Sequence, residues 1–86
     1  MNEYITLADK SVVQNAYAVK LDTGSIAVYV NGKHSFADLY AIFGDKSKTG
    51  TMTTYQYGEE HVWEGYTEVF TINVSEGNTY VNLRKE

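Results

Sequence analysis

The 86-residue chain has no cysteine and only two histidines, His34 and His61. Without thiols, the protein has no disulfide framework, no thiolate zinc site and no cysteine nucleophile. A chain of this length predicts one small domain over residues 1–86. Because small domains bury a modest share of their surface, stability must come from side-chain packing, within the chain or across a subunit interface.

Positive charge and long apolar runs are also scarce. Eleven acidic residues outnumber seven basic ones, for a net charge of −4. Since nucleic-acid-binding proteins usually carry a basic face, we expect no direct nucleic acid binding; a DNA-related role would be mimicry. The apolar runs are far shorter than the roughly 18 residues of a membrane span, and residues 1–4 lack the basic start of a signal peptide. These features predict a cytoplasmic protein without a membrane partner.

The sequence contains no catalytic or cofactor-binding motif. His34 adjoins Ser35, but neighbouring side chains seldom point at each other, and no oxyanion or third-member signal accompanies the pair. No phosphate-binding GxxxxGK[ST] loop occurs. We therefore predict a non-enzymatic protein with no catalytic residues and no cofactor, which agrees with the little room that so small a domain has for a substrate cleft.

One cluster has metal-ligand chemistry. Glu59, Glu60, His61 and Glu64 combine carboxylates with an imidazole, groups that zinc or a harder cation uses. Their spacing matches no recognised ligand pattern. An acidic, solvated turn before a strand is the favoured interpretation, so no metal site is predicted.

Two hairpin signals are the strongest structural features. Gly24 and Gly77 each stand between runs of alternating apolar residues, a pattern typical of tight two-residue turns. In the first hairpin, pairing of Asp22 with Ser25 predicts one shared face. That face comprises Tyr17, Val19, Leu21, Ile26, Val28 and Val30. In the second hairpin, pairing of Ser75 with Asn78 predicts three opposed pairs. They are Val74 with Thr79, Ile72 with Val81, and Phe70 with Leu83.

A short helix is predicted between the hairpins. Phe36, Leu39, Tyr40 and Phe43 follow the i, i+3, i+4, i+7 spacing of one helical face. Ser35 is the expected N-cap, and Gly44 is expected to end the helix in the left-handed conformation. Because an isolated helix this short is unstable in water, its apolar face must pack against a sheet.

The remaining segments complete an α+β arrangement. Residues 45–50 predict an exposed loop, and residues 51–57 a strand with Tyr55 and Tyr57 on one face and Met52 and Thr54 on the other. A turn is expected at residues 58–60, and residues 65–67 should kink or divide the next strand. Ile5 and Leu7 suggest a first strand. We predict a mostly antiparallel sheet of five to six strands with one short α-helix packed on a face, in β-β-β-α-β-β-β order; a small barrel is the alternative.

Aromatic residues supply the main functional clue. Eight tyrosines, three phenylalanines and one tryptophan are a heavy load for 86 residues, and such side chains are favoured interface anchors. The candidate protein-contact residues are Tyr29, Tyr55, Tyr57, Trp63, Tyr66 and Tyr80. The alternative is that Trp63 and several tyrosines complete the core with exposed polar tips. A small interior cannot hide them all, so exposed members that cluster would mark a protein partner or a self-association surface.

Three segments have a distinctive residue pattern: SFADLYAIFGD at residues 35–45, VWEGYT at 62–67 and VNLRK at 81–85. With them, the chain resembles small uncharacterised proteins of phages and prophages of Gram-positive bacteria, some encoded among virion structural genes. The resemblance covers the C-terminal half to two thirds and transfers no functional residue. It implies a non-enzymatic structural or assembly protein acting through protein-protein contacts, with a virion location. The alternative function is a monomeric acidic binder or inhibitor of a host protein.

Overall fold

The computed structural model describes residues 3–86, which form eight strands and two short helices. They are β1 Tyr4–Thr6, β2 Val12–Gln14, β3 Ala16–Lys20, β4 Ile26–Val30, α1 Phe36–Phe43, α2 Lys46–Thr49, β5 Thr51–Gln56, β6 Glu59–Glu64, β7 Glu68–Asn73 and β8 Tyr80–Arg84. The first sheet has the strand order β2-β1-β5-β6, and the second sheet has the order β3-β4-β8-β7. All strand pairs are antiparallel.

The α+β class and the antiparallel pairing are confirmed, whereas the predicted five to six strands and single helix are too few. Before α1 the structure has four strands where three were expected; the additional strand is β2, which the left-handed Asn15, with φ 56°, separates from β3. The division expected near Gly65, which has φ 82°, is confirmed, because β6 ends before it and β7 continues in the other sheet. The early strand is also confirmed, as β1.

Both sheets and α1 contribute to one core. Its fully buried members are Ile5, Leu7, Ala16, Ala18, Ile26, Val28, Val30, Leu39, Phe43, Met52, Tyr66, Val81 and Leu83. On β5, Met52 and Thr54 share one face as expected, and the structure shows that this face is the buried one. The strand ends one residue early, because Tyr57 and Gly58 both have positive φ, 54° and 75°. This is the pattern of a two-residue type I′ turn, so the turn expected at residues 58–60 is wrong, and β6 begins at Glu59.

The predicted register of the first hairpin is wrong by one residue. The Leu21 N–H donates to the Ser25 carbonyl at 2.9 Å, and Gly24, with φ 87°, is the last residue of a three-residue loop. A one-residue slip exchanges the two faces of a strand. Ala16 and Ala18 therefore enter the core in place of the expected Tyr17 and Val19.

The second hairpin has the expected pairing near its turn. Ile72 lies opposite Val81, and Gly77 has φ 74°. The expected pairing of Phe70 with Leu83 is wrong, because the register shifts between Val69 and Thr71 and Val69 takes that position. Phe70 is the extra residue of this β-bulge, and its side chain is 60% exposed.

Helix α1 is confirmed, with its cap. The Asp38 N–H donates to Ser35 Oγ at 3.1 Å. Only Leu39 and Phe43 of the predicted apolar face are buried; Phe36 and Tyr40 are exposed and stack on each other. The left-handed ending is wrong.

Gly44 has φ −83°, an ordinary right-handed value. A glycine is nevertheless suited to this position, because an added Cβ would lie 2.6 Å from the Tyr40 carbonyl oxygen. The expected loop after it contains α2, which Asp45 caps by accepting the Ser47 N–H at 3.0 Å. Thr49 of α2 is fully buried, so this segment is not the wholly exposed loop that its polar sequence suggested.

Candidate protein-contact surface

A row of tyrosines crosses the outer face of the second sheet. Tyr17 on β3 lies opposite Tyr29 on β4, which in turn lies opposite Tyr80 on β8. The first two rings stack with centroids 5.2 Å apart and an interplanar angle of 17°, and the last two are tilted at 5.7 Å. We call these three residues the tyrosine ladder. Facing positions on adjacent strands are close enough for such aromatic pairs, so the register itself assembles it.

The β5–β6 turn lies beside this ladder. The amide side chain of Gln56 on β5 bonds to the backbone of Ala18 on β3, with both distances 2.9 Å. The next residue, Tyr57, is 74% exposed. Burial raises the pKa of the Tyr17 hydroxyl, and the neighbouring Tyr29, Tyr57 and Glu3 add to this. The ladder and Tyr57 thus form one aromatic region.

The other predicted contact residues lie elsewhere. Tyr55 is on the first sheet, where its ring stacks on Tyr4 at 5.4 Å. Trp63 is half-buried and donates its Nε1–H to Thr54 Oγ1 at 2.9 Å. Tyr66 is only 4% exposed and meets Trp63 edge-on at 6.0 Å. Trp63 and Tyr66 therefore complete the core, as the alternative interpretation had it.

Other exposed aromatic residues were not among the predicted contacts. Phe36 and Tyr40 lie on the outer surface of α1, and the Arg84 guanidinium lies over the Phe70 ring at 4.6 Å. Tyr17 was also missed, because the predicted register placed it in the core. Nothing in the local sequence distinguishes the outward half of the α1 stripe, but a glycine in the third loop position is a recognised sign of the longer hairpin loop.

The residues considered for chemistry do not converge. On β6, Glu59 and His61 share one face, with Glu59 Oε2 lying 3.6 Å from His61 Nε2. Glu60 and Glu64 are on the other face. They occupy a strand and not the expected turn. Within residues 3–86, no group of three His, Cys, Asp or Glu side chains is arranged to hold a metal ion.

His34 Nε2 lies 3.0 Å from the Asn31 carbonyl oxygen, while Ser35 caps α1. The two neighbouring side chains therefore make separate contacts. A cleft of about 680 Å³ lies beside His34, between residues 30–34 and residues 74–79. Its polar groups are partly used locally, since Ser75 Oγ donates to the Asn78 carbonyl at 2.9 Å.

Comparison with protein-family models, curated proteins and solved structures finds no match for this chain. In the part of the chain that the structure describes, no helix is long and apolar enough to cross a membrane.

Proposed function

We propose that this protein is a non-enzymatic structural or assembly protein, and that the tyrosine ladder is its contact surface with copies of itself or with a larger virion component. The observation that carries the proposal is the row of ring contacts across three adjacent strands, in which Tyr17 stacks on Tyr29 and Tyr80 meets Tyr29 at a tilt. Tyrosines offer large contact area with few rotatable bonds, and stacking holds their rings in place before a partner arrives. Preorganisation of this kind lowers the entropy cost of association.

The charge distribution favours a protein partner for this surface. The net charge of −4 opposes binding to a phosphate backbone. A ladder of half-buried rings with hydroxyl tips combines apolar area with hydrogen-bonding groups, as interface cores do. The phage or prophage setting comes from the resemblance of the C-terminal segments and is part of the proposal.

The test is size-exclusion chromatography with light scattering at low and high protein concentration. We expect a discrete oligomer in the wild type. The oligomer should dissociate in Tyr29→Ser, because this substitution removes the central ring of the ladder. Tyr55→Ser is the matched control, because it removes a stacked tyrosine from the other sheet. Far-ultraviolet circular dichroism and thermal unfolding establish that both variants fold. A wild-type monomer at every concentration would contradict self-assembly.

A second candidate function is a monomeric acidic binder or inhibitor of a host protein. One observation favours it: the exposed strand β6 carries Glu59, Glu60 and Glu64 within six residues. This local excess of carboxylates would attract a basic partner surface. It predicts a stable monomer whose binding to another protein weakens with salt.

A further inference from the structure

The four edge strands of the two sheets differ in how far they are closed to further pairing. In the second sheet, Ala18 on edge strand β3 gives both its N–H and its carbonyl to Gln56, and the Ala16 N–H donates to the Glu3 carbonyl at 3.3 Å. The opposite edge, β7, is interrupted by the bulge at Phe70. In the first sheet, β2 has only three residues and is followed by the left-handed Asn15. The edge strand β6, by contrast, is six residues long and regular.

Alternate residues of β6 direct their backbone N–H and carbonyl groups away from β5. The type I′ turn makes Gln56 and Glu59 a hydrogen-bonded pair, and such pairs alternate along an antiparallel ladder. The Gly65 N–H, which donates to the Gly50 carbonyl at 3.0 Å, has the same parity. The N–H and carbonyl groups of Glu60, Val62 and Glu64 therefore point away from β5. Within residues 3–86, β6 pairs with β5 alone.

The same three residues share the outer face of the first sheet. They present a carboxylate, an apolar side chain and a carboxylate in succession, and Val62 is 59% exposed. An added strand would set its own side chains about 5 Å from these, so opposite charges and an apolar pair would stabilise it. Edge charges also protect sheets from indiscriminate pairing. Here they would select a partner of opposite charge.

We propose that the free edge of β6 accepts an extended segment of a basic partner protein, with Lys or Arg two positions on either side of an apolar residue. The apolar residue pairs with Val62, and the two cations pair with Glu60 and Glu64. The pattern reads identically in both directions, so it fits parallel or antiparallel addition. Main-chain hydrogen bonds supply affinity and the alternate side chains supply specificity.

A second copy of β6 is a poor occupant. Antiparallel self-pairing centred on Val62 would place Glu60 opposite Glu64 twice, and like charges directly opposite each other destabilise a sheet. This inference rests on the second candidate function and names its partner class. It is independent of the tyrosine ladder, so Tyr29→Ser should leave it unchanged, and failure of either proposal leaves the other testable.

The probe is a short capped peptide with the central sequence Lys-Thr-Val-Thr-Lys, titrated into the full chain and followed by amide NMR and hydrogen exchange. We expect shifts concentrated on β6, with new protection of the Glu60, Val62 and Glu64 amides. Shifts on β6 without this protection would mean charge attraction without strand addition and would overturn the proposal. Shifts centred on the tyrosine ladder would also overturn it.

Two proline variants separate pairing from folding. Val62→Pro removes an outward N–H without removing a bond to β5, and edge strands tolerate proline at such positions. Val12→Pro is the matched control, because Val12 ends the same cross-strand row at the opposite edge, beyond Thr6 and Thr53. We expect peptide binding to be lost in Val62→Pro and retained in Val12→Pro. Equal binding by the two folded variants would contradict the proposal.

Charge reversal tests the partner class. Glu60→Lys combined with Glu64→Lys should weaken binding of the lysine peptide about tenfold or more, since two favourable cross-strand pairs become repulsive. The reversed chain should instead bind a peptide with the central sequence Glu-Thr-Val-Thr-Glu. If the wild-type chain bound the lysine and glutamate peptides equally and charge reversal did not exchange the preference, the carboxylates of β6 would not select the charge of the partner.

Discussion

The side-chain amide of Gln56 bonds to both the N–H and the carbonyl of Ala18, and so joins β5 of the first sheet to the edge strand β3 of the second. Gln56 is only 8% exposed. The amide therefore replaces a neighbouring strand for one residue of β3. It also holds the β5–β6 turn, with Tyr57, beside the tyrosine ladder.

Replacing this amide should destabilise the fold. Gln56→Leu keeps the side chain's approximate size but leaves two backbone groups of Ala18 without partners, at an expected cost of about 2 to 4 kcal/mol in unfolding free energy. Urea denaturation measures it. Gln56→Glu is the informative companion: its carboxylate accepts the Ala18 N–H but faces the Ala18 carbonyl, so acidification should improve its stability relative to Gln56→Leu. Wild-type stability in Gln56→Leu would show that water replaces the amide.

Local signals predicted the parts of the fold that local geometry decides. The cap at Ser35, the two-residue turn at Gly77 and the division at Gly65 each depend on a few neighbouring residues. The error in the register of the first hairpin arose where distant packing decides. The first hairpin has two possible loop lengths around Gly24, and burial of Ala16 and Ala18 between the sheets accompanies the longer one. The small residues suit a position where β3 approaches β1 and β5.

The candidate surface was predictable only in part. Sequence alone indicated an excess of aromatic side chains, and three of the named residues, Tyr29, Tyr57 and Tyr80, lie in one region. Tyr29 and Tyr80 meet because β4 pairs with β8. These two strands are far apart in the sequence, so no local pattern predicts their pairing. Trp63 and Tyr66 have the same composition signal but turn inward: Trp63 lies on the inner face of β6, opposite Met52, and Tyr66 lies in the segment that joins the first sheet to the second.

The tyrosine ladder should make stability sensitive to alkaline pH. The pKa of Tyr17 is raised, chiefly by burial, so the folded state holds this proton more tightly than the unfolded state does. Its contribution is full below about pH 10 and is lost as the pH rises through the higher folded-state pKa. Tyr17→Phe keeps the ring and should reduce the alkaline loss of stability. Tyrosinate absorbance and urea unfolding across this range test it, and an unchanged loss would assign the effect to other groups.

Acid should weaken a link between α2 and the β1–β2 turn. Asp9 accepts hydrogen bonds from Lys48 Nζ at 2.8 Å and from Ser11, which hold the pKa of the Asp9 carboxyl well below its usual range. Because the folded-state pKa is depressed, this stabilisation is full above about pH 4 and disappears as the pH falls through the lower value.

The Asp9→Asn variant should therefore be less stable than the wild type at neutral pH, and the difference should shrink in acid. Urea unfolding over a pH series measures this change. Lys48→Met removes the other partner, and combining the two substitutions should cost less than the sum of their separate effects, since they share one interaction. A pH-independent difference would contradict the assignment.

At Tyr57, the residue that best suits the backbone differs from the residue that the proposed contact surface needs. Its φ of 54° lies in the left-handed region, which asparagine adopts more readily than tyrosine does, and Asn-Gly is the preferred type I′ turn. Tyr57→Asn should therefore stabilise the chain by about 1 kcal/mol. The same change removes an exposed ring beside the ladder, so we expect weaker self-association in light scattering.

Gly58→Ala is the control. An added Cβ at this position would contact nothing within 4 Å, and the φ of 75° makes the substitution destabilising through the backbone alone. A Tyr57→Asn variant that gains stability and still assembles as the wild type does would remove Tyr57 from the contact surface; a gain in stability with loss of assembly would explain why tyrosine occupies a position that suits asparagine better.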